Sequence, residues 1–380
     1  MEIVRTFFCL IQSQLNKTEI DQSVKDGINQ EVLSKLYDLS KSHDLAPLLC
    51  DALQYNGLLG DNQASQNFKQ QSMLALLRYE RTIYEQKAIS QLLESNGIDF
   101  MPLKGWIMRD FYRKPHLRTS CDIDLLVKEE DLQKAINLLK TNLKYTTTNK
   151  KDYHDVSLFS PSDVHLELHF SIKEKNEYLD KALVKVWENA TLVENTKHQY
   201  KLNEDFFKFH ILAHSAYHFL VGGCGIKPVI DFYLLENNFT SGENYQSLLE
   251  LSQLNQFDTQ FRNLANVWFN SGEHNPTTLN MEKYIVGSGV YGLAKNSIAR
   301  RRAKMSKTKY IFLRIFPTYS DMKSIYTKLE KCPMLLPFYY VRRWFKVFAK
   351  KGLREEIKYN SSLSNGENAI SKLCDELNLK

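Results

Sequence analysis

No two cysteines of this chain stand at Cys-x-x-Cys spacing. The six, Cys9, Cys50, Cys121, Cys224, Cys332 and Cys374, are scattered. That excludes a zinc ribbon or a stapling disulfide framework, and reduced thiols are the simplest reading. No stretch approaches the roughly 20 apolar residues that a membrane-crossing helix needs. The apolar patch Phe7 to Ile11 is broken by Gln12 and lacks the basic flank and length of a signal peptide. A cytoplasmic protein is therefore expected. The Gly-rich break Gly287 to Gly292 is not followed by Gly-Lys-Ser/Thr, so it is not a P-loop. Internal repeats are absent. Glycine and proline are few, 15 and 9 in 380 residues, and 43% of the chain is hydrophobic. This is a soluble globular composition, long enough for two or three domains.

What is present is unevenly charged. From Arg300 to Lys351 there are 15 Lys/Arg against two acids, Asp321 and Glu330. That stretch is +13 and the remainder is −7 within a net +6. Its aromatics, Phe338, Tyr339, Tyr340, Trp344, Phe345 and Phe348, interleave with Arg342, Arg343, Lys346, Lys350 and Lys351. One reading is contact with an anionic membrane surface or a polyanion such as RNA. The plainer reading is a helical cap with core aromatics and solvated basic residues.

Apolar spacing divides the chain. Residues 1–97 read as helical, with Val32 to Ser40 and Asn67 to Asn96 at three- and four-residue periods. Asn96-Gly97 is a helix stop. His43-Asp44 is read as an inter-helix turn. Residues 98–202 hold short strands: Ile98 to Leu103, Ser120 to Val127, Leu143 to Thr148, Val156 to Phe159 and Val164 to Phe170. Helices are expected over Trp106 to Tyr112 and Glu129 to Leu139, with a polar loop at Arg113 to Thr119. Residues 203–275 return to helix: Phe206 to Leu220, Ile226 to Leu235, and two more between Tyr245 and Asn270. Residues 276–380 form the basic, aromatic-rich C-terminal helical region, with a polar linker at 360–368. The fold class is α+β, a small mixed sheet flanked by helices with large N- and C-terminal helical regions.

Two strands place acids unusually. Side chains alternate faces along a strand. In Ser120–Val127, Asp122, Asp124 and Leu126 share one face, and Cys121, Ile123, Leu125 and Val127 the other. In Val164–Phe170, His165, Glu167 and His169 oppose Val164, Leu166, Leu168 and Phe170. Burying charges on one side of a strand is costly unless something pairs with them. Two hard oxygen donors at this spacing suit Mg²⁺. If the strands are neighbours, three carboxylates converge. The plainer alternatives are a solvated edge strand for Asp122 and Asp124 and a surface acid for Glu167.

Pro102-Leu103-Lys104-Gly105, then Leu117-Arg118 before Cys121-Asp122-Ile123-Asp124-Leu125-Leu126-Val127, then Leu166-Glu167-Leu168-His169-Phe170, resembles the uncharacterised bacterial nucleotidyltransferase family of the polymerase β-like superfamily. The likeness continues more weakly into the helix of His214 and His218, Asp231 and Arg314-Ile315-Phe316-Pro317. The resemblance implies a Mg²⁺-dependent transfer of a nucleoside monophosphate from an NTP to an acceptor hydroxyl. It implies that Asp122, Asp124 and Glu167 are catalytic and hold two Mg²⁺ ions, Glu167 also helping to deprotonate the acceptor. Lys104, Gly105 and Arg118 would bind the triphosphate. Trp106 departs from the family turn, where Gly or Ser usually follows, and 17 positions separate Gly105 from Asp122. Those departures motivate the alternative of an inactive module that keeps the fold and binds or regulates.

Other residues have two readings each. Lys104 in an ion pair or a solvated turn, and Arg118 paired with Asp122 or Asp124, are the structural alternatives to phosphate binding. His165 and His169 are either neighbours of a metal or substrate, or satisfied structural histidines. His210, His214 and His218 recur at i, i+4, i+8 on one helix face. With Asp231 they suggest a phosphohydrolase metal site. The plainer reading is packing histidines bonded to backbone or to Asp231.

Overall fold

The computed structural model describes residues 2–151, 154–290, 292, most of 309–348, and 366–380. It is a mostly helical α+β protein built around one five-stranded mixed sheet. The N-terminal helices are α1 (Glu2–Asn16), α2 (Gln22–Asp26), α3 (Gln30–Ser42), α4 (Ala46–Tyr55) and α5 (Gln63–Ser95). The side chains of Asn29 and Asn62 cap α3 and α5, each accepting a backbone N–H of the first turn. The His43-Asp44 turn stands between α3 and α4 as the sequence suggests, with Asp44 left-handed at φ 53°.

The sheet comprises β1 (Phe100–Pro102), β2 (Asp122–Val127), β3 (Thr146–Lys151), β4 (Asp155–Phe159) and β5 (His165–His169), in the order β1-β2-β5-β4-β3. The β2–β5 pair is parallel and the other neighbours are antiparallel. A parallel pair needs a long crossover. Here it includes α7 (Leu132–Asn142) and the β3–β4 pair. Between β1 and β2 stand α6 (Gly105–Met108) and two 3₁₀ turns, Arg109–Phe111 and Pro115–Leu117. The expected helix over 106–112 is therefore split, and the expected polar loop holds a turn of helix. Periodicity did not show α8 (Glu177–Leu183) or the hairpin β6 (Ala190–Leu192)–β7 (Tyr200–Leu202), which are too short for it.

The sheet has two unlike faces. Ile123, Leu125, Val127, Leu166 and Leu168 pack against Ile89, Leu93, Ala135 and Leu139 of α5 and α7. The alternation assigned from sequence therefore holds on both strands. The opposite face turns its acids toward helices α9 (Glu204–Val221) and α10 (Lys227–Asn238). Helices α11 (Glu243–Ser252), α12 (Asn255–Phe269) and α13 (Pro276–Ser288) follow. Helices α1, α4, α9, α10 and α12 contribute to one continuous apolar core, and Leu373 to Leu379 join it. The C-terminal helix starts at Gly366, inside the stretch expected to be linker, while 351–365 lie outside the described residues. No helix among the described residues is long and apolar enough to cross a membrane.

The C-terminal region divides its aromatics. Tyr339 is buried with Met322 and Leu329 in a small separate core. Phe338, Val341 and Phe345 are exposed on the helix Leu336–Phe348. The expectation of a cap whose aromatics are all core therefore fails at that face.

Candidate active site

The parallel register sets Asp124 directly opposite Glu167, and Asp122 opposite His165. Because the strands are neighbours, the three carboxylates stand on one face. Oxygens of Asp124 and Glu167 and a ring nitrogen of His169 lie within 4.8 Å of one another. His169 Nε2 is 3.0 Å from Asp124 Oδ1 and 3.6 Å from Glu167 Oε2. Asp122 stands two residues up the strand, its Oδ1 accepting from Ser120 Oγ at 2.7 Å. The structure thus adds His169 to the expected acids at the tightest point of the cluster. The sequence offered the signal, since His169 shares the polar face of its strand, but alternation alone does not rank it above His165.

Lys104 lies among these acids. Its Nζ donates to Asp124 Oδ1 at 3.1 Å, so the ion-pair alternative describes it as it stands. Its backbone has φ 38°, a conformation that side chains rarely adopt and that costs about 1–3 kcal/mol. The turn is anchored by the Leu103 N–H bonding Asp124 O, and by the Ile107 and Met108 N–H groups bonding Lys104 O. Gly105 at the next position lies close under two side chains. A Cβ there would come within 2.8 Å of Arg118 Nη1 and 3.2 Å of Ser120 Oγ.

Arg118 does not pair with Asp122 or Asp124. Its Nη2 donates to Asp231 Oδ2 at 2.7 Å, and the Tyr112 hydroxyl donates to Asp231 Oδ1 at 2.7 Å. That also removes Asp231 from the histidines, with which it forms no metal-holding group among the described residues. His214 instead meets Glu174, which no sequence pattern marked, and His218 meets His214.

Asp122, Asp124, Lys104, Arg118, His214, His218 and Asp231 line one cleft. Its acidic floor is Asp122 and Asp124 beside Lys104 and Gly105, and its helical wall includes His214, His218, Lys227 and Asp231. Asp44 and Thr119 close one end, both bonded to Lys227 Nζ. Nearby, Arg109 is buried with its Nε and Nη1 lacking hydrogen-bond partners, an environment that an anion would relieve.

Electrostatics follow from burial and neighbours. Burial alone would raise the Asp124 pKa, but Lys104 and His169 outweigh it and hold the carboxyl well below its usual range. Burial, with Asp124 and Asp122 adding repulsion, pushes Glu167 up to about 8. Burial opposes the charge on Lys104, yet Asp124, Glu174, Glu167 and Asp122 together keep it firmly protonated. One ammonium thus faces an excess of carboxylates, and additional positive charge is favourable there. Two carboxylate oxygens with an imidazole close by suit Mg²⁺ or Mn²⁺, and the Mg²⁺ fit rests on the acids.

A mixed sheet that presents paired acids to a cleft beside a Lys-Gly turn defines a nucleotidyltransferase-type protein. The family model described as uncharacterised nucleotidyltransferase matches residues 30–270, and the chain belongs to that family. No curated protein and no solved structure matches the chain.

Proposed function

We propose that this protein is an active nucleotidyltransferase that moves a nucleoside monophosphate from an NTP to an acceptor hydroxyl in the cytoplasm. One observation carries the reading: Asp124 and Glu167 face each other across a parallel strand pair, with Asp122 on the same face. Asp122, Asp124 and Glu167 would hold two Mg²⁺ ions, with His169 orienting Asp124. When bound, the ions neutralise charge on the triphosphate and lower the pKa of the attacking hydroxyl. Lys104, bonded to Asp124 in the structure, would turn to phosphate, and Gly105 would keep the backbone open to it. Arg118, fixed by Asp231, supplies charge without moving. The contribution of the strands and the Lys-Gly turn is positioning and charge complementarity.

The test is incubation with each α-³²P-labelled NTP, Mg²⁺ and a cell extract, comparing wild type with Asp122→Asn/Asp124→Asn. Label transfer by wild type alone supports the reading, and equal transfer by both proteins refutes it. The Lys104–Asp124 bond favours a second reading, a module that binds nucleotide without turnover because the lysine substitutes for the ion. Saturable NTP binding with no transfer in any extract selects that reading.

The helix Leu336–Phe348 is proposed to contact an anionic membrane surface. Phe338, Val341 and Phe345 form an exposed stripe at helical spacing in a +13 stretch of sequence. Flotation with phosphatidylglycerol vesicles but not phosphatidylcholine vesicles supports this. Flotation with neither, or undiminished flotation of Phe338→Glu/Phe345→Glu, removes it.

A further inference from the structure

Facing the acidic strands across the cleft is a second constellation. Glu174 follows β5 and is 7% exposed. Its Oε1 lies 2.7 Å from His214 Nδ1 in the middle of α9. His214 Nε2 in turn lies 3.0 Å from His218 Nε2. Both imidazoles line the same cleft as Asp122, Asp124 and Lys104.

The protons of this chain can be assigned by elimination. Burial, followed by the positive charge of Lys104, holds His214 well below the ordinary histidine value. Burial likewise lowers His218. Both rings are therefore neutral at neutral pH. A neutral His214 bonded to a carboxylate must carry its proton on Nδ1. Its Nε2 is then a lone pair that accepts from His218 Nε2–H. His218 thus occupies the place, 3.0 Å from a carboxylate-backed imidazole nitrogen, that a hydroxyl donor would take. It stands on the last turn of α9, where its carbonyl accepts from the N–H groups of Gly222 and Gly223.

We infer that His214, held by Glu174, is the general base that takes the proton of the acceptor hydroxyl once the acceptor displaces His218. This rests on the nucleotidyltransferase reading above. In the step, the hydroxyl oxygen forms a bond to the α-phosphorus. The bond from that phosphorus to the bridging oxygen of the β-phosphate breaks, and pyrophosphate leaves with the electron pair. The hydroxyl proton ends on His214 Nε2, and the imidazolium is stabilised by Glu174 until the proton passes to water. The acids on the strands bind and orient, and the helical wall moves the proton.

The experiment uses the full chain, α-³²P-labelled NTP, Mg²⁺ and cell extract, with binding of a fluorescent NTP analogue measured in parallel. His214→Gln is expected to lose roughly 10²–10⁴-fold in transfer while binding the analogue like wild type. In His214→Gly, added imidazole is expected to restore transfer. The wild-type rate rises with pH through the ionisation of His214 and is flat above it. Burial, then Lys104, His218 and His210, push that limb below the ordinary value of about 6.5, while Asp124 pulls it back. Transfer by His214→Gln within about threefold of wild type, with Asp124→Asn inactive, overturns the base and leaves the nucleotidyltransferase reading standing. Parallel loss of analogue binding in His214→Gln, or no rescue of His214→Gly, also overturns it. Absence of transfer by wild type overturns both.

Discussion

Two buried ion pairs line this cleft, and they are built for different ends. Arg118–Asp231 is balanced: one guanidinium meets one carboxylate, and the Tyr112 hydroxyl takes up the remaining capacity of Asp231. Lys104–Asp124 is not balanced. Asp122 and Glu167 share its sheet face, and Glu174 lies near enough to act on the same ammonium. A balanced buried pair contributes geometry. A pair with surplus carboxylates leaves a field that only further positive charge can satisfy. Surplus charge, more than burial, therefore separates the proposed site of chemistry from its scaffold. Arg118 belongs to the scaffold by its bonding and to the site by its charge.

The contrast can be broken experimentally, and the largest effect lies on the unbalanced side. Asp124→Asn should lower label transfer on the order of 10⁴-fold, the size seen when one essential catalytic group is removed. Transfer above a tenth of wild type would end the assignment. Next come the pairs themselves. Arg118→Ala leaves Asp231 buried and unpaired and should cost roughly 3–5 kcal/mol in urea unfolding, with or without Mg²⁺. Lys104→Ala should also destabilise the protein in EDTA, but Mg²⁺ should restore more stability to it than to wild type. Equal Mg²⁺ responses of the two variants would erase the proposed difference.

Gly105 couples the pairs, since a Cβ there meets the guanidinium of Arg118. Gly105→Ala should cost about 1–3 kcal/mol, as overpacking does. Unchanged thermal stability would show that the turn yields freely. The smallest effect is a slope. His210 is 1% exposed, its Nδ1 has no hydrogen-bond partner, and burial, followed by Lys104, lowers its pKa to about 3. The unfolded chain therefore binds this proton more tightly than the folded one. Stability rises with pH across the window from 3 to the unfolded value, and is lost as pH falls. His210→Leu should flatten that dependence by about 1.4 kcal/mol per pH unit. An identical slope in both proteins would remove His210 as its source.

Much of the site was legible because strand geometry is local. Asp122, Asp124, Glu167 and His169 share a face for a reason contained in each segment. The helix of His214 and His218 was legible for the same kind of reason, at a different period. Its partner was not. Glu174 lies in an irregular segment 40 positions before His214, and nothing in the spacing links them. The same holds for Lys227, drawn to Asp44 and Thr119 from the start of α10. Arg118 shows how local reasoning misleads. Asp122 and Asp124 are its nearest acids in sequence, yet it bonds Asp231, 113 positions away.

By itself the sequence determined which side chains share a strand face, where the longer helices run, and that scattered cysteines and an unequal charge distribution accompany them. Covalent geometry makes the two-residue and 3.6-residue repeats, so these need no partner to be read. Only the tertiary structure decided that β2 lies beside β5, that Asp124 faces Glu167 in register, and that Glu174 reaches His214. Those pairings come from packing two faces of one sheet at once. Ile123 and Leu166 are buried against α5 and α7 while the acids turn to the cleft, and sliding either strand by one residue would exchange the two sets.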